Sequence, residues 1–315
     1  MRHVLMRGSG RRVIGCCTAA ALLFLLAFVA GCGSVQPGEG ESTDTTVMAA
    51  TSSTEVQASS TTTVGTSTTV DGGDQKEPLE LSVYLCGPDE KLWPVHREVP
   101  YTAATGKTAM EALLGGPTAA EEEAGLGSCI PDGTAFLGLD IEDGIATVDL
   151  SREYASGGGS LSMGLRLAQV IFTLTQFPEV TAVRFQVEGE TVDTFGGEGI
   201  ILDGPVGRVD FEDSSPAILV ESPALGDTIT SPVRVRGSAN VYEATFQLNL
   251  VDWDGKIIAE ETVTASSGTG TRGTFDVTVP FSVDMAGRGA LIVFVYSAKD
   301  GSQVNVREIP LTIQK

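Results

Sequence analysis

The sequence predicts an α+β domain, with helices packed on a β-sheet, followed by an all-β sandwich, both behind a disordered N-terminal linker. Three observations carry this. Leu137, Leu139 and Ile141 alternate with polar or small residues, as do Ala146, Val148 and Leu150 beyond Asp143-Gly144. Asp-Gly supplies the φ > 0 that a type I′ hairpin turn needs at both central positions. Leu161 to Phe177 is apolar around most of a helix, with one narrow polar stripe. After Ser214-Ser215-Pro216, about seven short strand patterns fill roughly 100 residues, the signature of a sandwich.

In chain order, Leu79 to Leu85 and Leu92 to Val99 read as strands, the second stopped by Pro100. Thr108 to Leu114 reads as a short helix ended by Gly115-Gly116-Pro117. Thr118 and Glu121 have capping-box spacing for another helical turn. The Asp143-Gly144 hairpin places Ile141 opposite Ala146, Leu139 opposite Val148 and Leu137 opposite Leu150, all six on one face. The long helix lies across that face, with Ser160 as its N-cap and Pro178 as its stop. Its stripe is Ser162, Arg166, Gln169, Thr173 and Gln176, with only Thr175 off it. Val183, Phe185 and Val187 alternate in the next strand, and residues 194–210 read as a Gly-rich tail with Ile200, Ile201 and Leu202 packing back. The α+β domain is thus expected over 79–213.

From 214 to 315 the period is two. Phe246, Leu248 and Leu250 alternate with polar residues, as do Phe275, Val277, Val279 and Phe281. Asp254-Gly255 and Asp300-Gly301 mark turns, Gly268 to Gly273 a longer loop, and Pro310 fits an edge strand. No cysteine follows Cys129, so Trp253 is not the core tryptophan that packs on an inter-sheet disulfide in antibody domains.

The N-terminus carries Arg2, Arg7, Arg11 and Arg12 before an uncharged run from Val13 to Gly31, and ends Val29-Ala30-Gly31-Cys32. This resembles the bacterial lipoprotein signal, which implies a signal peptide over 1–32 with Cys32 as the lipidated (palmitate-bearing) first residue. An uncleaved anchor is the alternative, since an uncharged run of this length nearly spans a bilayer. Residues 33–78 have no packed-core pattern. Between Glu41 and Val70, 17 of 30 residues are Ser or Thr and none is aromatic. Such a tract is a flexible linker of roughly 35–40 Å r.m.s. span.

The formal charge is −21, and removing the four signal-segment arginines, which have no acidic neighbours, leaves −25. Nucleic acid and anionic lipid headgroups are repelled by so acidic a chain. Cys16 and Cys17 leave with the signal, so Cys86 and Cys129 remain. Outside the cytoplasm such a pair is a disulfide candidate, worth roughly 4 kcal/mol on the chain-entropy model, with two separate buried thiols as the alternative.

Little chemistry is offered. His3 and His96 are the only histidines, and His96 has neither a Gly-x-Ser-x-Gly elbow nor enough Cys and His companions for zinc. It is read as a strand residue without a chemical role. Gly157-Gly158-Gly159-Ser160 lacks the phosphate-loop spacing, Asp140, Glu142 and Asp143 lack a calcium loop, and Glu121-Glu122-Glu123 reads as a solvated helix face. No catalytic, metal or cofactor residue is assigned. Trp93 and Trp253 are the candidate binding contacts, with Tyr101 as a further exposed aromatic.

Val95-His96-Arg97-Glu98-Val99, Ala112 to Pro117, Glu142 to Ser151, Gly157 to Ser160 and Leu167 to Phe177 stand in an order that resembles the GerMN (sporulation and spore germination) domain. Ser222-Pro223, Ser231 to Ala239, Phe246-Gln247-Leu248 and Gly273-Thr274-Phe275 resemble the immunoglobulin-like domain of bacterial spore germination. The resemblance implies an envelope protein without catalytic residues. The expectation is an extracytoplasmic, lipid-anchored, non-enzymatic protein that binds or assembles with another envelope protein. The alternative is a peptidoglycan or wall-polysaccharide binding module.

Overall fold

The structure, a computed structural model, describes residues 76–196 and 199–315. The expected signal peptide with Cys32, and the linker as far as residue 75, lie outside the described residues.

β1 (Leu79–Cys86) and β2 (Leu92–Val99) form an antiparallel hairpin. α1 (Thr105–Leu114) and α2 (Ala119–Glu123) follow. β3 (Phe136–Glu142), β4 (Ile145–Leu150), α3 (Ser160–Leu174), β5 (Ala182–Val187) and β6 (Glu190–Thr191) build a sheet of order β3-β4-β5-β6. β4 and β5 are parallel, so their connection needs a crossover, and α3 provides it. β7 (Thr194–Phe195) and β8 (Ile200–Ile201) make a small hairpin. Of the three residues expected to pack back here, Leu202 is buried and Ile200 half-buried, but Ile201 is exposed.

α1 starts three residues before the predicted Thr108. Gly106 lies in its first turn, where β3 comes close. A Cβ at this position would lie 2.8 Å from Leu139 Cδ2. The hairpin register holds at Ile141↔Ala146 and Leu139↔Val148, then shifts. A bulge at Leu137 puts Phe136, not Leu137, opposite Leu150. Leu137 is 49% exposed, while Phe136 packs on the core. The extra residue of a bulge reverses the inside-outside alternation beyond it, so five of the six expected residues keep their places.

α3 is capped by Gly159, and Ser160 is its first residue rather than the cap. Its polar stripe faces the protein: Arg166, Gln169 and Thr173 are buried. β2 is the one strand paired with β1 among the described residues; apart from the bridge of Cys86 to Gly127, the stripe lines β1's other edge as a strand would. Thr173 Oγ1 accepts from Tyr84 N–H (3.3 Å), and Gln169 Nε2 donates to Tyr84 O (2.9 Å). Gln176 Oε1 accepts from Ser82 N–H (2.8 Å) while its Nε2 donates to Ser82 O (2.7 Å). Buried backbone groups must find partners, and here side chains at helical spacing supply them. Meanwhile the apolar flank of α3 packs with Val83, Leu113, Val148 and Phe185 in one core.

A 3-10 segment, Arg208–Ser214, leads to the second half. Its strands are β9 (Ile218–Ser222), β10 (Thr228–Ile229), β11 (Val233–Ala239), β12 (Thr245–Val251), β13 (Ile257–Thr264), β14 (Gly273–Val279), β15 (Gly287–Tyr296) and β16 (Gln303–Ile313). They form a five-stranded sheet, β10-β16-β15-β12-β13, over a three-stranded one, β14-β11-β9. The inward residues Phe246, Leu248, Leu250, Leu291 and Val293 make the second core. Gly237 sits at a bulge where a Cβ would meet Leu219 O at 2.0 Å, so the two strands approach only with glycine there.

The two cores touch. Leu219 of β9 belongs to the first, and Trp93 of β2 packs against both.

Candidate functional site

The α+β half and the sandwich meet along a polar cleft of about 820 Å³. β1 and β2 contribute Glu80, Ser82, Tyr84 and His96. The turn after α3 adds Thr175 and Gln176, the 3-10 segment Arg208, and the three-stranded sheet Glu221, Ser222, Arg236 and Asp276.

Ionisable groups converge on His96, which lies on β2, the strand in which it was expected. Its side chain is 9% exposed. Nδ1 lies 2.8 Å from Asp227 Oδ2 and 3.6 Å from Glu80 Oε1, and Nε2 lies 3.1 Å from Glu221 O. Both ring nitrogens face acceptors, so both are satisfied only when both carry protons. Burial opposes that charge, but the hydrogen bond and charge of Asp227, then Glu80 and the Glu221 carbonyl, outweigh it and hold the His96 pKa above its ordinary value of 6.5. When both nitrogens carry protons, His96 ties the halves together and has no lone pair to serve as a base.

A second tie lies beside it. The Tyr84 hydroxyl donates to Glu221 Oε1, and Arg208 Nη1 donates to the same oxygen at 2.6 Å. Arg208 also reaches Thr175 Oγ1 (2.8 Å) and Phe172 O (3.2 Å), its guanidinium lying over the Phe172 ring at 4.7 Å. Burial, and then the negative charge of Glu221, push the Tyr84 phenol up, so it stays a neutral donor. Arg236, at the rim, is exposed and pairs with no carboxylate among the described residues.

Trp93, expected as a binding contact, is engaged inside the protein. Arg307 of β16 lies 3.7 Å over its ring and donates to Leu92 O (2.7 Å), while Trp93 Nε1–H donates to Asp89 (3.0 Å). Burial pushes the Arg307 guanidinium down to about 10, leaving it a cation at neutral pH. Trp253 is presented: it is 60% exposed in the β12–β13 turn, which Asp252 Oδ1 fixes by accepting from Asp254 and Lys256 N–H.

Cys86 and Cys129 are joined in a disulfide, with Cα atoms 6.4 Å apart. Gln169 Oε1 accepts from Cys129 N–H at 2.8 Å, so the same side chain fixes the loop and the β1 edge. The Gly157-Gly158-Gly159 turn wraps a cation. Arg166 donates to the carbonyls of Cys129, Tyr154, Ser156 and Gly157, at 2.6 to 3.2 Å. Glu121 departs from the expected solvated face. It is buried, closes the capping box with Thr118 and takes a bidentate pair from Arg97 (2.6 and 2.7 Å), whereas Glu122 and Glu123 are exposed.

Glu221, Asp227, Arg208 and Arg307 escaped the sequence reading. In so acidic a chain, an arginine flanked by apolar residues, as Arg208 is by Val206 and Val209, was the available signal. Among the described residues, no three His, Cys, Asp or Glu are grouped to hold a metal ion, and no helix is long and apolar enough to cross a membrane.

A family model described as sporulation and spore germination matches residues 82–193, and one described as the immunoglobulin-like domain of bacterial spore germination matches residues 217–302. No curated protein matches the chain. Among solved structures, the first GerMN domain of the sporulation protein GerM from Bacillus subtilis is 24% identical, with 42% of this chain and 99% of that one covered and a TM-score of 0.38. A protein described as a lipoprotein from Clostridium perfringens is 27% identical, covering 45% and 95%, with a TM-score of 0.32. The tandem GerMN domains of the same GerM are 17% identical, covering 66% and 63%, with a TM-score of 0.38. The chain thus carries a sporulation and spore germination domain followed by an immunoglobulin-like domain of bacterial spore germination.

Proposed function

We propose that this chain is a lipid-anchored, non-enzymatic envelope protein that binds or assembles with another envelope protein, its two domains acting as one body outside the membrane. One observation carries the reading. The ionisable groups at the domain junction are bonded to one another: His96 to Asp227 and Glu221 O, Tyr84 and Arg208 to Glu221. A catalytic centre keeps a base or nucleophile free toward its substrate, whereas this cluster holds two domains together. The Val29-Ala30-Gly31-Cys32 sequence supports a lipid anchor at Cys32.

Site-specific photo-crosslinking from the protein surface in living cells tests the reading. A reproducible protein partner is expected. Capture of none from any surface position counts against it, as does an activity that His96→Ala abolishes while the fold stays intact. The wall-polysaccharide alternative rests on the exposed Trp253, because the Trp93 ring is covered by Arg307. Retention on purified wall that Trp253→Ala removes would favour it.

A further inference from the structure

The outer face of the five-stranded sheet, turned away from the second core, has a composition that a solvated face does not need. Residues paired across neighbouring strands point to the same side, so the register gives the face row by row. One row is Ile257, Val251, Ala290 and Pro310. The next is Glu260, Asn249, Ile292 and Glu308. Beyond it, Gln247 pairs with Phe294, whose ring meets Tyr296 edge-on at 5.2 Å. Phe294 is buried yet belongs to neither core. On the same face Tyr296, against the Phe294 ring, is half exposed, as are Ile257 in the first row and Val306 on β16.

Three of the four side chains in the middle row, all but Ile292, carry acceptors. Asn249 is 9% exposed, and its Oδ1 is buried with no hydrogen-bond partner. A buried acceptor without a partner is destabilising, so a group that donates to it would bind with that gain. Glu260 and Glu308 stand on either side, both exposed and without an ion pair among the described residues. Three strand spacings separate them, ~14 Å.

We infer that this face docks a partner protein through a segment that carries apolar side chains flanked by Lys or Arg. The apolar strip takes the former, Glu260 and Glu308 take the cations, and Asn249 Oδ1 accepts from a donor between them. Around the middle row charge selects this occupant, since Arg288, the cation on the same face, lies beyond the first row. A second copy would bring the same two glutamates and a formal −21 against these, and an anionic lipid surface would meet the same repulsion. The inference rests on the reading of the chain as a protein-binding module and names the surface and the chemistry of its partner.

The test uses the full-length protein in its own cells. A photoreactive residue is placed at Ile257 or Val306 on the face, and at Tyr101 or Ile201 away from it, and the crosslinked peptides are sequenced. The face positions are expected to crosslink to another protein within a stretch combining apolar residues with Lys or Arg. The double variant Glu260→Lys, Glu308→Lys is expected to lower that yield at least tenfold, and Glu122→Lys with Glu123→Lys to leave it unchanged. Crosslinks from the face only to lipid, to a second copy or to an acidic stretch overturn the inference, as does a yield indifferent to the charge reversal. If the face captures nothing while Tyr101 or Ile201 captures a protein, the docking face is wrong and the protein-binding reading stands. If no position captures a protein, both fall.

Discussion

Gln176 lies beside Ser82 and both accepts from its N–H and donates to its carbonyl, the pair of hydrogen bonds that a neighbouring strand would make. One turn and two turns back along the same helix face, Thr173 and Gln169 serve Tyr84. A helix has thereby replaced a strand at the edge of β1, which removes an open edge that would otherwise invite pairing with other chains. Specificity comes with the arrangement, since each amide must meet one particular backbone group.

Removing one of these amides leaves buried polar groups unpaired. Gln169→Leu strands Tyr84 O and Cys129 N–H and is expected to destabilise by about 3 kcal/mol. Gln176→Leu, whose partner Ser82 is only half-buried, is expected to cost about 1 kcal/mol. Chemical denaturation of the two variants checks the order.

The bulge makes a sharp contrast between neighbours. Leu137→Thr, at an exposed position, is expected to change stability by no more than about 0.5 kcal/mol. Phe136→Ala removes a side chain packed on the core and is expected to cost about 2 kcal/mol, less than for a fully buried ring. The reverse order, with Leu137→Thr the costlier, would mean that the unshifted register is the right one.

Joint strength is expected to depend on pH through His96. Its pKa is raised in the folded protein, so the native state holds the proton more tightly than the unfolded chain. The stabilisation is therefore fully present below the unfolded value of about 6.5 and is lost as pH rises through the higher folded value. Stability measured from pH 5 to pH 9 should fall across that window, and His96→Gln should flatten this part of the profile.

Arg307 is expected to shield one of the chain's two tryptophans. In a Trp253→Phe background only Trp93 emits, and its fluorescence should resist acrylamide quenching. Arg307→Ala uncovers the ring and removes a charge-assisted bond to Leu92 O, with an expected loss of about 2–3 kcal/mol and a clear rise in quenching.

Cys32→Ser is expected to move the protein from the membrane fraction to the soluble extracytoplasmic fraction. Retention in the membrane would favour an uncleaved N-terminal span over a lipid anchor.

Local features were legible in the sequence, and features that depend on distant residues were not. Asp143-Gly144 with its flanking alternation gave the pairs Ile141–Ala146 and Leu139–Val148, because turn chemistry and period act within a few residues. The shift at Leu137 has no such mark, since Phe136 and Leu137 are equally apolar and only the shape of the core chooses between them. The stripe on α3 was visible, yet its destination lies about ninety positions earlier in β1. Thr118 and Glu121 announced their capping box, but not the Arg97 that buries Glu121. At the junction, His96 stood out by composition alone. Asp227, its partner 131 positions away, resembles every other acidic residue of a chain that has forty-one Asp and Glu.

The guanidinium that covers Trp93 comes from β16, more than two hundred residues downstream of the ring it shields. Synthesis runs from the N-terminus, so the first domain emerges with that tryptophan naked and waits for Arg307 before its surface is finished. A chain that stops short of Gln303 would lack Arg307 and leave the Trp93 ring without its cover.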